Sequence, residues 1–110
     1  MSTHAWYDLN ALAPAAPPDS ILSRTFFTAG GLKAILFSFA PGQELSEHTA
    51  GVPAILHFLA GEADVTLGGD PVDARPGGWA YMPARLPHSV KARTTVTMLL
   101  LMLPAEAPAA

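Results

Sequence analysis

The chain has 110 residues, half of them apolar, a formal net charge of −3 and no cysteine. That is the size of one domain with enough apolar side chains for a core, and it excludes disulfides, thiolate metal ligands and cysteine nucleophiles. Its six Lys and Arg residues form no run or stripe, so nucleic acid is not an expected partner.

The first ten residues, MSTHAWYDLN, lack the basic region and apolar stretch of a secretory signal. The longest apolar run, MLLLML at 98–103, is far short of the ~20 residues that cross a bilayer. A soluble, cytoplasmic protein with no membrane partner is expected. Prolines at 14, 17 and 18 make residues 11–19 a poor helix, and residues 1–20 read as an Ala/Pro-rich arm. Its aromatics, Trp6 and Tyr7, are suited to docking on the domain or on a partner subunit.

From Ile21 onward, short apolar segments alternate with turn signals. ILSRTFF precedes Gly30–Gly31, LKAILFSF ends at Pro41–Gly42, and PAILHFLA ends at Gly61. ADVTL and PVDA flank Gly68–Gly69, WAYM precedes Pro83, and HSVKA and TVTMLLLML complete the series. A turn roughly every ten residues is the pattern of an antiparallel sandwich or barrel. One domain over 21–104 is expected, followed by a frayed tail over 105–110.

Period-two reading of AILHFLA sets Ala54, Leu56, Phe58 and Ala60 against Ile55, His57 and Leu59. Both faces are largely apolar, and LKAILFSF and TMLLLML behave alike. A lone domain in water needs only one such face. Either the arm or a second subunit covers the other, and a homodimer is the favoured expectation.

Two spaced runs carry more information. Gly42 is followed after five residues by His48, then by Ala50, Ala54 and Gly61; later come Gly77, Pro83, Arg85, His88 and Ala92. Over roughly residues 33–103 these runs resemble the paired motifs of the cupin family. The resemblance implies an all-β, cupin-like jelly roll, a double-stranded β-helix barrel of antiparallel strands. Metal-bearing cupins gather three histidines and a glutamate on a divalent transition metal. Here His48 and His88 fill two of those slots, alanines fill the other two, and Arg85 occupies a glycine slot.

The resemblance therefore implies an in-barrel pocket around His48 and His88, with one divalent transition metal ion as the cofactor to test. His57 and Glu44 are candidate extra ligands. Glu44 shares the phase of His48, whereas His57 has the opposite phase and would turn inward only through a bulge. Arg85 is a candidate clamp for the carboxylate of a small organic acid, the alternative being a solvated arginine paired with Glu44 or Glu47. Trp79, Tyr81, Met82 and Met98 are candidate ligand-lining residues, with core or outer packing as the alternative. Whether the protein is an enzyme stays open, because fold alone does not decide activity. One reading is a metal-binding cupin or small metal-dependent enzyme. The other is a metal-free module that binds or senses a small molecule without catalysis.

Overall fold

The computed structural model describes residues 3–105; beyond Ala105, the expected tail lies outside them. One short helix, α1 (Leu9–Leu12), precedes nine strands: β1 (Ile21–Ala29), β2 (Leu32–Phe39), β3 (Glu44–His48), β4 (Ala54–Ala60), β5 (Ala63–Leu67), β6 (Asp70–Ala74), β7 (Trp79–Met82), β8 (His88–Ala92) and β9 (Val96–Met102). They form two sheets of antiparallel pairs, ordered β1-β2-β9-β4-β7 and β3-β8-β5-β6. This is the expected jelly-roll arrangement. The apolar segments become the strands they predicted, within a residue or two at the ends. β3 is the exception: Glu-Leu-Ser-Glu-His has a single apolar residue and gives no apolar pattern to read.

Register fixes which side chains enter the space between the sheets, because directly paired residues share a face. The row Phe37–Met98–Phe58 faces inward from β2, β9 and β4, and the row Leu45–Val90–Val65 faces it from β3, β8 and β5. Phe39, Leu56, Phe58, Val65, Met82, Val90, Val96 and Met98 belong to one buried cluster. At Gly61 the chain turns so closely past the β9 entry that an added Cβ would stand 2.0 Å from the Thr95 carbonyl oxygen, with φ at +83°. Only glycine fits there.

The two outward faces differ. On the four-stranded sheet, the row Glu44–Lys91–Asp64–Asp73 lies across the solvent side. Arg93 forks between Asp64 and Asp73, and Arg75 reaches Asp73 at 3.1 Å and Glu62 at 3.0 Å. On the five-stranded sheet, the outward rows are Leu36–Leu99–His57–Trp79 and Ala34–Leu101–Ile55–Tyr81. The arm covers part of this face. The Asp8 side chain accepts a hydrogen bond from the Asn10 N–H at 3.1 Å and starts α1, a helical turn that the proline-rich composition conceals. Leu9, Leu12 and Ala13 then pack on Ala34, Leu36 and Leu99. Tyr7 stands edge-on to Phe26, with ring centroids 5.3 Å apart. Of the two covers expected from sequence, the arm therefore accounts for the β2 and β9 columns.

Hydrogen bonds from Arg93 and then Arg75 hold the Asp73 carboxyl below the usual carboxylate range. A depressed carboxylate pKa contributes stability above the unfolded-state value of about 3.9, and loses it as pH falls through the lower folded value. Urea unfolding measured below about pH 4 is expected to show a flatter acid slope for Asp73→Asn than for the wild type. An unchanged slope would contradict this role.

Candidate functional site

His48 and His88 face each other across the β3–β8 ladder, and a backbone irregularity puts them there. β8 steps from Val90 to His88 in two residues while β3 takes three, from Leu45 to His48. Ser46 and Glu47 thus oppose Ser89, which makes a one-residue bulge. Without it, His48 would lie on the face opposite Leu45. With it, His48 joins the inward row of Leu45, Val90 and His88. The rings lie 4.2 Å apart between centroids and are inclined at 57°. His88 is 7% exposed, whereas His48 is exposed at the end of the sheet.

Each ring is oriented by its own strand. His48 Nδ1 lies 2.8 Å from the Ser46 carbonyl oxygen, and His88 Nδ1 lies 2.9 Å from the Leu86 carbonyl oxygen. A carbonyl only accepts, so Nδ1 carries the proton at both sites. In the neutral rings, each Nε2 therefore keeps its lone pair. The pair offers two acceptors held by backbone, ready for a donor group or a metal ion.

The remaining ligand candidates do not join it. The same bulge that turns His48 inward leaves Glu44 opposite Lys91 on the outer row, so the phase shared in sequence is not shared in space. His57 keeps the outward phase, paired with Trp79 and Leu99. Ala54 is buried and Ala50 half-buried, and neither carries a donor side chain. Among the described residues no group of three or more His, Asp or Glu side chains is arranged to hold a metal ion. Among the described residues the pair therefore offers two imidazoles, short of the three histidines and one glutamate of metal-bearing cupins.

Arg85 lies at the same end. Its N–H donates to the Ala50 carbonyl at 2.7 Å, which ties the Pro83–Pro87 turn to the chain just after His48. Its φ is +69°, the left-handed region that explains why a glycine slot falls here. Arg85, Pro83, Ala84, Gly51, Pro53 and Ala105 line a cavity of about 350 Å³. Among the described residues Arg85 has no ion-pair partner; neither Glu44 nor Glu47 takes it.

The four apolar candidates separate. Met82 and Met98 are buried in the core, at 2% and 1% exposure, and fill it. Trp79 and Tyr81 point outward, 60% and 48% exposed, away from the histidine pair. Sequence reasoning missed the groups that orient the pair, the carbonyls of Ser46 and Leu86. A backbone carbonyl has no residue-type signature. It also missed Pro53 and Ala84 as cavity walls, for which only the proline-rich turn gave a hint.

Residues 35–104 match the family model of the cupin domain, which is more than half of the chain. The chain belongs to the cupin family. A conserved protein of unknown function from Streptococcus pyogenes has a similar structure, with 29% identity, a TM-score of 0.81, and coverage of 97% of this chain and 93% of that one. A cupin superfamily protein from Desulfitobacterium hafniense is 25% identical with a TM-score of 0.81, covering 94% of each chain. The TT1209 protein from Thermus thermophilus is 26% identical with a TM-score of 0.82, covering 92% of this chain and 98% of that one. No curated protein matches the chain.

Arg85 gives a test of the turn in this cupin. A side chain at left-handed φ costs about 1 kcal/mol relative to glycine. Urea unfolding is expected to show Arg85→Gly more stable than Arg85→Ala by about that amount. Equal stability, or the reverse order, would contradict the strained turn.

Proposed function

We propose that this cupin is a metal-free, non-catalytic module that binds a small organic acid, as a sensor or carrier. The observation that carries the reading is the His48–His88 pair. Both Nδ1–H groups are committed to backbone carbonyls, both Nε2 atoms are available, and among the described residues no third His, Asp or Glu joins them as a metal ligand. Two Nε2 acceptors suit a hydroxyl, an amide N–H or a protonated acid, each of which donates the hydrogen bond that a neutral ring accepts. The Arg85 guanidinium at the same end, without an ion-pair partner among the described residues, supplies the fork for a carboxylate. Recognition of this kind needs no proton to move and no bond to break.

The divalent transition metal of metal-bearing cupins is the competing cofactor, and the donor set argues against it. A metal on two imidazoles would need waters or the ligand to complete its shell, and without a carboxylate to offset its charge it would bind more weakly. The working unit in this reading is a cytoplasmic homodimer of the domain spanning 21–104, with residues 1–20 as its arm. In keeping with that, no helix among the described residues is long and apolar enough to cross a membrane.

Chelator-treated protein, checked by elemental analysis, is the sample that tests the reading. Thermal unfolding against a panel of small mono- and dicarboxylates is expected to identify an acid that stabilises the metal-free protein. At ~100 times its Kd that acid should add about 2.7 kcal/mol. The double change His48→Ala with His88→Ala, and separately Arg85→Gly, should each abolish the shift. Stabilisation that appears only after a divalent ion is restored would overturn the metal-free reading.

A further inference from the structure

The two histidines are unequal, and the inequality bears on what a bound acid must carry. His48 stands at the exposed end of β3, where water can donate to its Nε2. His88 is 7% exposed. On the inward face its neighbours are His48 and Leu67 on the adjacent strands and Val90 two residues along β8. Leu67 and Val90 carry no polar side chain, and the one N–H of the neutral His48 ring is spent on the Ser46 carbonyl. None of the three can donate to the His88 Nε2. Among the described residues only the Ser38 hydroxyl is a fully buried side-chain N or O without a partner. The His88 Nε2, which has no partner either, is therefore still reachable from solvent.

We propose that the acid bound here is a hydroxy acid, whose hydroxyl donates to His88 Nε2 while its carboxylate pairs with Arg85. The inference rests on the organic-acid reading above and adds the group that must accompany the carboxylate. A molecule seated on His88 takes away the ring's remaining contact with water. An acceptor covered in that way without a donor lowers affinity about ten- to a hundredfold. His48 escapes this constraint, because water at the exposed end of the sheet serves it.

The other groups that commonly accompany a carboxylate fail on donor count or on charge. An oxo oxygen only accepts, so a keto acid sets its lone pairs against that of the nitrogen. A second carboxylate, with a pKa of about 4, is ionised near neutral pH and also only accepts. An ammonium donates, but among the described residues no Asp or Glu joins the two rings to offset its charge. A cation desolvated there without a counter-ion is costly. A hydroxyl donates and stays neutral. Sites that bond a substrate hydroxyl reject analogues lacking it far more strongly than apolar pockets reject a methylene. The histidines then divide the work: His88 sets the preference for hydroxyl over oxo, and His48 adds affinity without preference.

Titrations of the chelator-treated full chain, followed by its amide and imidazole resonances, test the inference. The probes are two sets matched in chain length: lactate, pyruvate, propanoate and alanine, then malate, oxaloacetate, succinate and aspartate. Malate offers its hydroxyl at two different distances from a carboxylate. Lactate or malate should bind at least about tenfold more tightly than the other members of its set. His88→Gln, whose amide both donates and accepts, should bring the hydroxy and oxo acids to similar affinity. His48→Ala should weaken the hydroxy acid and keep its preference. The wild-type ratios need no variant, so they decide the matter even where His88→Gln does not fold. An oxo or amino acid that binds as tightly as its hydroxy counterpart overturns the inference and leaves the organic-acid reading standing. A hydroxyl preference that survives His88→Gln does the same. Two sets in which no acid binds overturn the inference and that reading together.

Discussion

The extra residue in β3 between Leu45 and His48 decides the chemistry at the end of the sheet. A regular strand would send His48 to the solvent face and bring Glu44 to the same side as His48. The bulge separates them: His48 turns in to face His88, and Glu44 stays out beside Lys91. A single backbone insertion therefore assembles the histidine pair and parts it from Glu44 in one step. Both consequences bear on metal binding, since a carboxylate would have strengthened the hold of two imidazoles on a divalent ion. What remains is two imidazoles oriented by carbonyls of their own chain, a constellation suited to accepting hydrogen bonds.

The second organising feature is the difference between the two outward faces. Alternating charge across β3, β8, β5 and β6, fastened by Arg93 and Arg75, gives the small sheet an ordinary solvated exterior. These are exposed pairs, and their worth lies more in keeping the β6 edge from pairing with other strands than in stability. The large sheet is apolar on both sides and is completed by a helical turn at the start of a proline-rich arm. Even the covered part has a cost, since the Ser38 hydroxyl is buried there without a partner. Where the arm stops, aromatic side chains continue.

Most of the fold was legible because it is written in turn residues and apolar segments. Gly61, Gly68–Gly69 and Gly77 mark chain reversals at positive φ, and the segments between them became strands with the faces that period two assigns. His57 was legible in the same way: its phase in AILHFLA put it outside, and its pairing with Trp79 keeps it there. The histidine pair was legible only through the family spacing, because local alternation cannot foresee a bulge. That is why Glu44 looked like a partner. Trp79 and Tyr81 were ambiguous, since a strand apolar on both sides does not say which one is the interior. Met82 and Met98 resolve to the core, at 2% and 1% exposure.

Long-range proton–nitrogen correlation spectra of the imidazole side chains test the central claim most directly. On chelator-treated protein, at a pH where the rings are neutral, both His48 and His88 should be protonated at Nδ1 and bare at Nε2. The Nε2 resonances should then move when the recognised acid is added without metal. Protonation at Nε2 in either ring would contradict the backbone-oriented pair and the recognition mode built on it.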